Sequence, residues 1–253
     1  MTEPVFFDAN CRVGDTTNAP CPGVTELLGE MDRYGVAAAL VRHGNLDDGS
    51  APFTNAELAR MLMEQDRSER LTGVWCVLPE QCGELPPPDE FFAAMADNRI
   101  GALTLQPFAH RWVPCRLTIG KLMDAAAERR VPVLLNAFAR KWNELYAFLE
   151  EFPDNICVYV ENIGKWGIDR QIRPLLEHYD NFYFETAGYW IPEGIRDLAE
   201  KYGADRILYG SNFPQYNQGS SMLQLKHSGL DAGSVARIAG GNLERLIKGA
   251  QLK

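Results

Sequence analysis

Short apolar runs alternate with amphipathic stretches from one end of the chain to the other, and this alternation restricts the possible folds more than any other feature. Eight runs read as buried strands: Val5 to Phe7, Ala37 to Val41, Thr72 to Val77, Ala102 to Leu105, Val131 to Leu135, Ile156 to Val160, Phe182 to Phe184 and Arg206 to Tyr209. A continuous apolar run suits a strand covered on both faces. Helical periodicity marks Val24 to Tyr34, Asn55 to Gln65, Lys121 to Arg129, Asn143 to Phe152, Ile172 to Tyr179 and Ile195 to Tyr202. Repeated strand–helix units imply a parallel sheet, and 253 residues without a linker match the size of one α/β (β/α)8 TIM barrel, a single domain over 1–253.

The links are unequal. Helix-to-strand connections are short, as in Tyr34-Gly35-Val36 and Tyr202-Gly203-Ala204-Asp205. Strand-to-helix connections are long at Arg42 to Pro52, Leu78 to Pro88, Gln106 to Thr118 and Phe213 to Leu230. Elaborated loops after the strands place a ligand site at the C-terminal ends of the strands, in a barrel or in an open doubly wound sheet. No GxGxxG or GxxxxGK[ST] sequence follows a strand, which removes the usual nucleotide-binding versions of the open sheet.

A formal net charge of −9 disfavours nucleic acid and anionic membranes as partners. No run approaches the roughly 20 apolar residues of a membrane span, and the first residues show no basic segment followed by an apolar stretch, so a cytoplasmic location is expected. The six cysteines form neither a CxxC pair nor a dense scaffold and are expected to be free thiols. The expected partner is a small molecule, with homo-oligomerisation possible.

Polar residues follow the apolar runs at four strand ends. Asp8-Ala9-Asn10-Cys11-Arg12 follows the first, Leu135-Asn136 the fifth, Glu161-Asn162 the sixth and Gly210-Ser211-Asn212 the eighth. Alternation in an extended segment turns Asn10 and Arg12 to one side and Cys11 to the other. The first of these segments resembles the Asp-x-His-x-His opening of the amidohydrolase superfamily. Leu134-Leu135-Asn136 resembles its fifth strand end, Val160 to Gly164 its sixth, and Asp205 to Pro214 its eighth-strand Asp-Arg-x-x-x-Gly-Ser-Asp-x-Pro signature. Ile238 to Leu246 is similar to the family's final helix.

The resemblance implies a metal-dependent hydrolase fold, yet the positions that hold the family's ligands carry Asn10, Arg12, Asn136, Asn162 and Asn212. An amide oxygen is a poor zinc ligand and a guanidinium repels a cation. The expectation is therefore a barrel that has lost its metal site, with no metal and no cofactor. Its activity would be metal-independent hydrolysis or carbon–carbon cleavage of a small anionic or carbonyl-bearing molecule; alternatively it is an inactive barrel that binds a small molecule or protein.

Within that reading, Arg12 anchors an anion or pairs with Glu161 or Glu185. Asn10, Asn136, Asn162 and Asn212 form a hydrogen-bonding floor or satisfy one another. Glu185 and His43 are the proton-transfer candidates, since a strand-end carboxylate is costly to bury unpaired and histidine titrates near neutrality. Glu161 and His110 are candidate binding residues, each with a structural alternative. Trp112, Trp142, Trp166, Tyr189, Trp190 and Tyr216 wall a pocket or pack between barrel and helices.

Overall fold

In the computed structural model, residues 3–17, 20–138, 141–160 and 167–253 are described. Eight parallel strands form one sheet in sequence order: β1 (Phe6–Val13), β2 (Val36–His43), β3 (Leu71–Val77), β4 (Ile100–Leu105), β5 (Val133–Leu134), β6 (Cys157–Tyr159), β7 (Phe182–Glu185) and β8 (Ile207–Leu208). The helices that follow them are α1 (Val24–Tyr34), α2 (Ala51–Gln65), α3 (Pro88–Asp97), α4 (Arg116–Glu128), α5 (Trp142–Glu151), α6 (Asp169–His178), α7 (Gly194–Tyr202) and α8 (Gln218–Lys226). α9 (Ala232–Ala236) and α10 (Asn242–Gly249) end the chain, joined by a π-helical turn over Arg237–Gly241. The ring closes between first and last strands: Ala9 N–H donates to the Tyr209 carbonyl and Arg12 N–H to that of Phe213, both at 3.0 Å.

Period-2 alternation divides the buried side chains into two layers. Outward residues such as Cys11, Val41, Leu103 and Ile207 pack under the helices, with Leu27, Leu62, Phe92 and Leu198 among their partners. Inward residues, including Ala9, Leu40, Val74, Ala102, Leu134, Val158 and Leu208, form a separate cluster with Leu243 and Leu246 of α10. Phe7 and Ile247 join this cluster at the start of β1, so α10 plugs the N-terminal end of the barrel. The C-terminal end is left for polar residues.

Several sequence boundaries are corrected. β1 extends to Val13 rather than stopping at Phe7, so Asn10 and Arg12 lie within the strand. β2 extends to His43, which takes Arg42 and His43 out of the following loop. The segment read as a link from Phe213 to Leu230 contains α8, whose weak amphipathicity hides it. The three-residue link at Gly35 is a helix stop: Gly35 adopts φ +71 and its N–H bonds the Met31 carbonyl, the left-handed geometry that glycine tolerates best.

Candidate functional site

Two residues beyond the apolar filling of four strands, the inward positions turn polar: Leu40 is followed by Arg42, Ala102 by Thr104, Leu134 by Asn136 and Tyr183 by Glu185. These side chains are nearly inaccessible, with Arg42 1%, Thr104 0%, Asn136 8% and Glu185 0% exposed. A polar layer therefore rests directly on an apolar floor.

A local device in β1 adds Asn10 to this layer. The Asp8 carboxylate accepts the backbone N–H of Asn10 at 3.1 Å, a side-chain turn that competes with regular strand pairing. The register with β2 slips between Asp8 and Cys11, where three steps on β1 oppose two on β2. Asp8 Oδ1 also accepts from Ser211 N at 2.9 Å and Oδ2 from Gln218 Nε2 at 2.9 Å, tying β1 to the β8 end and to α8.

Asn10 then spans the mouth. Its Nδ2 donates to Glu185 Oε1 at 3.1 Å, while its Oδ1 accepts from Arg42 Nη2 at 2.5 Å. The other Glu185 oxygen accepts from Ala187 N at 2.6 Å. Gly210 makes room for this carboxylate, since a Cβ there would collide with Glu185 Oε2.

Past the bulge, Arg12 and Arg42 are in register and share a face, as Cys11 and Val41 share the opposite one. Burial lowers the Arg42 pKa to about 10; the Arg12 charge pushes the same way, and Asp47 and Glu185 oppose it. Arg12 is half-buried, and no hydrogen bond or ion pair forms at its guanidinium among the described residues; its Nε is buried without a partner there. Its ion pair with Glu185, one of the two expected, does not form: Glu185 is engaged by Asn10 and Ala187. Glu161 and Asn162 lie outside the described residues, as does Trp166.

The remaining candidates divide. Asn136 Oδ1 is turned toward Thr104 Oγ1, which also approaches the Leu134 carbonyl at 3.0 Å. Asn212 is buried in a left-handed turn, φ +60, a conformation asparagine accepts more readily than most residues. His43 faces away from Arg42: its Nδ1 accepts from Asn45 N at 3.1 Å, its Nε2 lies against Gly14, and burial lowers its pKa. His110 Nε2 bonds the Leu46 carbonyl at 2.9 Å, which places the proton on Nε2 and links the loops after β4 and β2.

Of the aromatics, Trp142 stacks on Tyr159 and Tyr189 is buried with its hydroxyl on Asp169, both between barrel and helices. Trp190, 41% exposed, meets Tyr216 edge-on at 5.0 Å between ring centres. Cys11 faces Ser211 and Gln218 outside the barrel, and burial raises its pKa well above the ordinary thiol value. A cavity of about 1160 Å³ opens at the other end of the barrel, beside Val5, Phe7, Ala38 and Ile247, away from every strand-end polar group. Among the described residues no group of three or more His, Cys, Asp or Glu is placed to hold a metal ion.

Eight parallel strands with a polar layer at their C-terminal ends define a TIM barrel. The amidohydrolase family profile matches residues 23–248, and the chain belongs to that family. No curated protein sequence matches it. Among solved structures it is similar to a probable 2-pyrone-4,6-dicarboxylic acid hydrolase from Acinetobacter baumannii with citric acid bound, at 17% identity over 96% of this chain and 99% of that one, TM-score 0.69. A dihydroxybenzoic acid decarboxylase from Polaromonas, with manganese and 2-nitroresorcinol bound, aligns at 13% identity over 97% of each chain, TM-score 0.70. The 5-carboxyvanillate decarboxylase of Sphingomonas paucimobilis aligns at 14% identity over 97% and 99%, TM-score 0.67. No helix of the described residues is long and apolar enough to cross a membrane.

Proposed function

We propose that this chain is a metal-independent member of its family that binds a small carboxylate-bearing molecule at Arg12 and Arg42 and cleaves it by hydrolysis or carbon–carbon scission. The carrying observation is the in-register pair of guanidinium groups, one of them without a protein counter-charge among the described residues. Two like charges held together in a partly buried site are costly, and an anion supplied by a ligand offsets that cost. A guanidinium's planar fork suits a carboxylate bidentately.

The strand-end residues do not fit a divalent ion. Amides and guanidinium groups stand at Asn10, Arg12, Arg42, Asn136 and Asn212, and two fixed positive charges repel a cation. Hydrolysis and carbon–carbon cleavage next to a carbonyl both develop negative charge, which fixed N–H donors stabilise in a site shielded from water. The similar structures include hydrolases and decarboxylases of small acids, which supports this substrate class.

A second reading, a barrel that binds such an acid without turning it over, is favoured by one observation: both oxygens of Glu185 already accept N–H groups. Calorimetric titration with citrate and isophthalate tests what the two readings share. Binding to the wild-type protein that weakens at least about tenfold in Arg12→Met is expected; wild-type protein that binds neither acid would sink both. Incubation with 2-pyrone-4,6-dicarboxylate and with dihydroxybenzoates, followed by chromatography of products, separates enzyme from binder.

A further inference from the structure

We infer that Glu185 is a positioning residue: by acting only as an acceptor, it fixes which way round the Asn10 amide lies, and so holds Arg42 at the barrel mouth. The inference rests on the anion-binding reading above and assigns Glu185 a role different from proton transfer.

An asparagine amide has a donor end and an acceptor end, and its two orientations are nearly isosteric. Here its neighbours differ in kind. Glu185 Oε1 can only accept, and Arg42 Nη2 can only donate. One orientation satisfies both contacts, with Nδ2 on Glu185 and Oδ1 on Arg42. The reverse sets oxygen against oxygen and N–H against N–H, inside a region where all three residues are 0–1% exposed and water cannot compensate.

The polarity of Asn10 is therefore dictated from β7 and read out on β2. Glu185 is itself held by Ala187 N and by the space left at Gly210, so the reference point of the chain is rigid. Asn10 holds Arg42 through one N–H of Nη2, at a position in register with Arg12.

A charge-conserving exchange tests this. In Glu185→Gln, the Ala187 N–H keeps the side-chain oxygen, which turns the new NH2 toward Asn10 and forces the amide to reverse onto Arg42. In Asn10→Asp alone, a carboxylate faces the Glu185 carboxylate. In the double variant, Glu185→Gln with Asn10→Asp, the introduced glutamine amide on β7 and Arg42 both donate to the introduced carboxylate on β1, and the net charge is unchanged.

Isophthalate affinity and the thermal unfolding midpoint are measured for all four proteins. The expected result is a fall of at least about tenfold in affinity for each single variant, a lowered midpoint in each, and recovery of both in the double variant to within about twofold and a few degrees. Wild-type affinity in Glu185→Gln, or a double variant no better than the worse single one, would overturn the inference. If the wild-type protein binds neither isophthalate nor citrate, the anion-binding reading fails by itself, and the midpoints alone still decide whether Glu185 sets the Asn10 amide.

Discussion

Arg12 on β1 and Arg42 on β2 are in-register neighbours on the inner face of adjacent parallel strands, near enough that the Arg12 charge helps lower the Arg42 pKa. Such a pair favours an anion over stability. Arg12→Met is expected to raise the unfolding free energy of the ligand-free protein by up to about 1 kcal/mol, because it removes a like charge that has no partner among the described residues. The same variant loses the added stability that citrate gives the wild-type protein. Thermal unfolding with and without citrate checks both halves, and a destabilised ligand-free variant would show that Arg12 is structural.

Chelation provides a second check. With amides and guanidinium groups at the strand ends, overnight dialysis against EDTA is expected to leave the unfolding midpoint and any acid binding unchanged. Elemental analysis that finds stoichiometric zinc or manganese before dialysis would contradict the proposal.

Gly210 is the third. A methyl group there would meet Glu185 Oε2 and displace a carboxylate fixed on both oxygens. Gly210→Ala is expected to cost about 1–3 kcal/mol, a typical overpacking penalty, measured by denaturant unfolding. A cost below the error of the measurement would mean that the Glu185 carboxylate has room to move.

His43 predicts a pH dependence. Burial lowers its folded pKa below the ordinary 6.5 while the unfolded chain keeps that value, so between the two the unfolded state binds more protons. Its contribution is fully present above 6.5 and is lost as pH falls through the folded pKa. Stability measured from about pH 7.5 down to about pH 5 should fall more steeply in the wild-type protein than in His43→Gln; parallel curves would rule this out.

The order of the strands was legible because buried strands leave unbroken apolar runs, whereas α3 and the weakly amphipathic α8 were not. The candidate site was legible only where a residue stood soon after such a run, as Asn10, Arg12, Asn136 and Glu185 do. Arg42 was missed although the signal is present: Ala38, Leu40 and Arg42 keep one parity, and His43 the other. The charge itself disguised the continuation of the strand, since an arginine after Val41 reads as the start of a loop. The Asp8 turn was hidden for another reason, because the pairing register of β1 depends on residues about two hundred positions away, at Ser211 and Gln218.

That clasp also governs when the candidate site is assembled. Asn10 and Arg12 reach their places only when the first strand has been stitched to the last, through Asp8 on Ser211 and Gln218 and through the Arg12 N–H on Phe213. Seam closure of this kind joins residues about two hundred positions apart and carries a large loop-closure entropy. An acid that grips Arg12 therefore favours the completed ring over any partly opened form, so its presence should slow hydrogen exchange along β1 and β8 more than along β3 and β4.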